Sequence, residues 1–88
     1  MFRVVAALFL LTSAVQAAVT DAQVKQAIIQ ASLADYPGSC PCPYNHDRRG
    51  HLCGRRSAYS RPGGYAPMCY DSQVTAAMIA AYRRVHGL

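Results

Sequence analysis

Cys40-Pro41-Cys42-Pro43-Tyr44-Asn45-His46-Asp47-Arg48-Arg49-Gly50-His51-Leu52-Cys53 lies at the centre of this 88-residue chain, and Cys69 follows it. Prolines at 41 and 43 and the glycine at 50 suit neither a helix nor a strand, so the stretch needs another source of order. Four cysteines in a short exported chain supply one, as a disulfide framework. A ring closed between Cys40 and Cys42, with only Pro41 between them, is strained. Two pairings remain: Cys40–Cys53 with Cys42–Cys69, or Cys40–Cys69 with Cys42–Cys53. The sequence does not choose between them. Zinc is the competing use of Cys40, Cys42, His46, His51 and Cys53, but the usual Cys-x2-Cys and His-x3-His spacings are absent. A redox role for Cys40-Pro41-Cys42 wants a thiolate at a helix start, which the prolines exclude.

Export is read from the amino terminus. Met1-Phe2-Arg3 carries one basic residue, Val4 to Leu11 is apolar, and Thr12-Ser13-Ala14-Val15-Gln16-Ala17 ends in small residues. This is the pattern of a signal peptide over 1–17, with cleavage after Ala17. The apolar run is about half the ~20 residues a spanning helix needs. The expected mature chain, 18–88, is one small domain, of a size that commonly needs covalent staples. Without Arg3 it holds eight basic residues against Asp21, Asp35, Asp47 and Asp71, a net +4, and no glutamate. Such a charge draws a protein to anionic surfaces, polymers or nucleic acid.

Two helices flank the cysteine segment. The first is expected from about 20 to 34. Thr20 and Gln23 form a capping-box pattern, and Val24, Ala27, Ile28 and Ala31 share one face. Tyr36-Pro37-Gly38 stops it. The second is expected from about 72 to 86, with Val74, Met78, Ala81, Tyr82 and Val85 as its apolar stripe. Arg83 and Arg84 suit its C-terminal dipole, and Gly87 is a natural stop. Asp21-Ala22-Gln23-Val24 matches Asp71-Ser72-Gln73-Val74, but one short match does not establish a repeat. The apolar stripes must be covered, and the alanines at 27, 31, 77 and 81 suit a close approach of one helix to the other. The expected architecture is small, mainly α and disulfide-rich: two helices bracketing an irregular Gly/Pro/Cys-rich loop over 36–70.

Asn45, Asp47, Gly50 and Cys53 fall in register with the loop of the excalibur family, an extracellular calcium-binding module. The resemblance covers ten residues. Arg49 stands where the third acidic ligand belongs, and Gly54 replaces the closing glutamate. Calcium wants six or more oxygens, so the stretch reads as a similar turn without the ion. A longer likeness runs from about Cys40 to Arg84. Cys40-Pro41-Cys42-Pro43, the run from Cys53-Gly54-Arg55-Arg56-Ser57-Ala58-Tyr59-Ser60-Arg61 to Gly63-Gly64, and Cys69-Tyr70 resemble a family of short exported bacterial proteins of uncharacterised role. That resemblance implies a bacterial source and an envelope or extracellular address, and no activity.

The chemistry of the middle segment is basic and aromatic. Arg48, Arg49, Arg55, Arg56 and Arg61 interleave with Tyr36, Tyr44, Tyr59, Tyr65 and Tyr70. Guanidinium forks bind phosphate or carboxylate, and tyrosine offers a flat face to bases or sugars. Arg55, Arg56, Tyr59 and Arg61, beside Cys53, are the candidate ligand-binding residues. The sequence therefore reads as a non-enzymatic binding module for an anionic partner, with no cofactor. A structural module that dimerises through Met78, Tyr82 and Val85 is the alternative from another class. A metal-dependent nuclease-like hydrolase would need Asn45, His46, Asp47 and His51 as metal or catalytic groups. It lacks a second carboxylate and the motifs of known hydrolases.

Overall fold

The computed structural model describes residues 18–63 and 66–88. The expected signal over 1–17 and Tyr65 lie outside the described residues. Among the described residues the architecture is the expected one, two α-helices, two disulfides and no strand, with short 3-10 turns in addition. Among the same residues, no helix is long and apolar enough to cross a membrane.

Helix α1 spans Asp21–Asp35. Thr20 caps it as expected: its Oγ1 accepts from the Gln23 amide (3.2 Å), and Gln23 Oε1 accepts from the Thr20 amide (2.9 Å). These satisfy two of the donors that a helix start leaves unpaired. At the far end, the Tyr36 amide donates to Leu33 O, and Pro37 follows.

The second helix begins later than expected. Asp71–Gln73 is a separate 3-10 turn, and Val74 leaves helical geometry with ψ 113°. Thr75 then caps a new helix, α2, over Ala76–His86, its Oγ1 accepting from the Met78 amide at 3.2 Å. Gly87 ends α2 in the left-handed conformation (φ 66°), as its position suggested.

Val24, Ile29, Val74 and Ile79 form the buried core, with Ile28, Leu33, Met68, Met78 and Tyr82 packed against it. Four bonds fix the chain direction. Met68 N donates to Ser32 Oγ (2.8 Å), Gln26 Nε2 to Asp71 Oδ1 (2.7 Å), and Arg83 Nη2 to Asp21 Oδ1 (2.8 Å) and Val19 O (2.9 Å). The C-terminal part of the chain therefore runs back along α1. The expected stripes are corrected in detail. Ile79 replaces Val85, which is 80% exposed. Ala31 and Ala77 are also exposed, so they do not mediate the helix approach.

The cysteines pair as Cys40–Cys53 and Cys42–Cys69, and none is free. Cys42, Cys53 and Cys69 are buried. The two bridges start from neighbouring positions and diverge. One closes the loop layer on itself; the other ties that layer to the segment leading into α2.

Candidate functional site

A tight turn builds the first part of the loop layer. Asp47 N donates to His51 O (2.8 Å), Gly50 N to Asp47 O (2.9 Å) and Cys53 N to Asn45 O (2.8 Å). Gly50 supplies the left-handed residue the reversal needs (φ 79°). The Asp47 carboxylate fills the turn. Its Oδ1 accepts from the Arg49 and His51 amides, both at 2.9 Å, and its Oδ2 from Arg56 Nη2 at 3.0 Å. The His51 amide above all, with Arg56 and the Arg49 amide, holds this carboxyl below the usual aspartate range against an opposing desolvation.

That geometry shows how the side chains of the turn are engaged. Asn45 Oδ1 accepts from Cys42 N (3.0 Å), and Asp47 is committed to amides and a guanidinium. Among the described residues no group of three or more His, Cys, Asp or Glu is placed to hold a metal ion. His51 Nδ1 lies 4.0 Å from Asp47 Oδ2 on a largely exposed side chain, and His46 is exposed. Asn45, Asp47 and Arg56 form a braced turn.

Beyond Cys53, Gly54–Arg56 and Ala58–Ser60 are 3-10 turns. Gly54 N donates to Pro43 O, Ala58 N to Cys40 O and Tyr59 N to Pro41 O. This backbone pairing lays 54–59 along 40–43. Ser57 is fully buried, its hydroxyl 3.1 Å from that of Ser60.

The four candidate binding residues separate into two kinds. Arg56 is a brace: its Nη2 donates to Asp47 Oδ2 and to Leu52 O, each at 3.0 Å. Arg55, Tyr59 and Arg61 are exposed. Arg48, Arg49, Arg55 and Arg61 have no carboxylate partner among the described residues. Over 36–70, five arginines meet one carboxylate, Asp47, a net +4. Over 18–35 and 71–88, Lys25, Arg83 and Arg84 balance Asp21, Asp35 and Asp71. The charge of the domain is thus carried by its loop layer, while the two helical segments are neutral.

Tyrosines border this layer. Tyr70 meets both Tyr59 (centroids 5.3 Å) and Tyr44 (5.7 Å) edge-to-face. Each of the three remains about two-fifths exposed. Tyr44 Oη donates to Cys69 O at 2.9 Å, and burial, then the neighbouring Tyr70, raises its pKa.

A groove of about 460 Å³, with no counterpart among the sequence expectations, lies between α1 and the chain around Tyr70. Ile29, Tyr44 and Tyr70 give it apolar surface, and Gln26, Gln30 and Asp71 give it polar groups. The spacing of Gln26 and Gln30, one helical turn apart, was the available signal. A second, apolar groove of about 340 Å³ brings Met78, Tyr82 and Val85 together with Ile28 and Ala81. The chain matches no protein-family model, no curated protein and no solved structure.

Proposed function

We propose that the protein is an exported, non-enzymatic binding module that holds an anionic polymer, nucleic acid or an envelope polymer, on its disulfide-held loop layer. The segregation of charge carries this reading. A net +4 lies on the loop layer, with four exposed arginines that have no carboxylate partner among the described residues, beside three partly exposed tyrosines. Arg55, Tyr59 and Arg61 are the contact residues, with Arg48 and Arg49 extending the field. Arg56 holds the turn that presents them. The two disulfides and the likeness to short exported bacterial proteins support an address outside the cytoplasm.

Retention on immobilised DNA and on an acidic polysaccharide tests it. Binding at low salt falls as salt rises, because phosphate or carboxylate contacts release counterions. Arg55→Ala with Arg61→Ala weakens retention, while Lys25→Ala with Arg84→Ala, on the helices, leaves most of it. No retention on either matrix at low salt removes the reading.

The apolar groove favours a second reading, a homodimer through Met78, Tyr82 and Val85. Light scattering of the oxidised protein decides it, and a monomer at high concentration excludes it.

A further inference from the structure

The groove between α1 and Tyr70 is unlike the arginine layer it adjoins. Its volume falls within the range of about 300–1,000 Å³ common for small-molecule sites. Ile29 and the rings of Tyr44 and Tyr70 offer apolar surface. The polar groups are two amides and one carboxylate. Gln26 Nε2 donates to Asp71 Oδ1 at 2.7 Å, which orients the amide and leaves Gln26 Oε1 and Asp71 Oδ2 as acceptors. Gln30 is exposed, and its amide makes no hydrogen bond among the described residues.

A ligand that fits must show an apolar face to the tyrosines and groups that both donate and accept to the amides. A sugar ring does this, with C–H bonds on its faces and hydroxyls on its rim. A phosphate only accepts, and it would face the Asp71 carboxylate as a like charge. We infer that the groove is a subsite for hydroxylated, uncharged parts of sugar rings, and that the anionic polymer is an acidic polysaccharide. The second half rests on the polyanion reading above: acidic groups lie on the arginine layer while ring faces reach the groove past Tyr70, which touches Tyr59.

Calorimetric titration of the oxidised protein with hexagalacturonate and with hexathymidylate tests the assignment. Gln30→Ala is the informative variant, because the side chain is exposed and alanine favours a helix. It weakens hexagalacturonate by about three- to tenfold, the effect of removing one hydrogen bond, and leaves hexathymidylate unchanged. Arg55→Ala with Arg61→Ala weakens both. If Gln30→Ala and Asp71→Asn leave the sugar affinity unaltered, or if Gln30→Ala weakens the DNA equally, the sugar subsite is overturned and the polyanion surface stands. If neither oligomer binds at low salt, the polyanion reading fails. Cellotriose, which is neutral, then decides the groove alone. Amide shifts confined to Gln26, Gln30 and Tyr70 in a heteronuclear NMR titration support the subsite, and their absence overturns it.

Discussion

Arg56 and Asp47 are joined by a 3.0 Å bond from Nη2 to Oδ2 across the turn that opens the loop layer. The same carboxylate accepts two backbone amides through its other oxygen. These donors favour the ionised form, so the folded pKa lies below the ordinary 3.8. The stabilisation is therefore complete above about pH 4 and is lost as the pH falls through the lower folded value. Asp47→Asn should melt below the wild type at pH 7, with the gap closing as both are acidified. A gap in melting temperature that stays constant from pH 7 to pH 2 would show that ionisation of Asp47 does not brace the turn.

The two bridges should differ in their contribution to stability. Cys40–Cys53 closes a separation of 13 residues and Cys42–Cys69 one of 27. Chain entropy alone makes the longer closure worth about 0.6 kcal/mol more, on a base of about 2–4 kcal/mol each. Replacing Cys42 and Cys69 by alanine should thus lower stability more than replacing Cys40 and Cys53, by urea denaturation. Both single-bridge proteins keep a native pair. Replacing Cys40 and Cys69 leaves Cys42 and Cys53 without their native partners, so that variant should be the least stable. Were it the most stable of the three, the connectivity would be wrong.

Helix existence and most apolar positions, Val24, Ile28, Val74, Met78 and Tyr82, were legible in the sequence, while Ile79 and the exposed Val85 were not. Thr20, Gln23 and the Tyr36-Pro37 stop are local signals, and they behave locally. The second stripe starts from Val74 and runs forward at 3.6 residues per turn. Val74 is extended, so the period does not pass through it, and α2 takes its own phase from Thr75. The Val74-Thr75 pair held the signal: a β-branched residue followed by a natural N-cap. For the same reason, the Asp-x-Gln-Val match has different outcomes. Gln23 and Gln73 both reach back to amides before their turns, but only the first turn continues as a helix.

This phase correction has a direct test in α2. Ile79 is 8% exposed in the core and Val85 is 80% exposed. Ile79→Ala should cost about 2–5 kcal/mol, the usual range for a buried branched side chain. Val85→Ser should stay within about 0.5 kcal/mol. Equal losses by denaturant titration would restore the stripe that runs through Val85.

The candidate site was legible as composition but not as roles. Five arginines in one segment are visible in the sequence. That Arg56, still exposed, is tied to the turn depends on Asp47 meeting it through the reversal at Gly50, a contact that no spacing rule supplies. The groove depends on α1 lying beside Tyr70, and the expected packing of the two helices does not fix which side of α1 that residue meets.

The division between Arg55 and Arg56 yields the sharpest binding test. Adjacent in sequence and equal in charge, they differ in what they touch. Arg55 faces solvent, while Arg56 is held by Asp47 and Leu52. If both met the polymer, each alanine variant would reduce the slope of log affinity against log salt by about 0.7–0.9 for each DNA phosphate left without its arginine. The structure predicts that reduction for Arg55→Ala and for Arg61→Ala. Arg56→Ala should instead leave the slope nearly unchanged and lower the melting temperature, because it unbraces the turn and exposes the Asp47 charge. A full change of slope for Arg56→Ala, with the melting temperature intact, would move Arg56 from the scaffold to the binding surface.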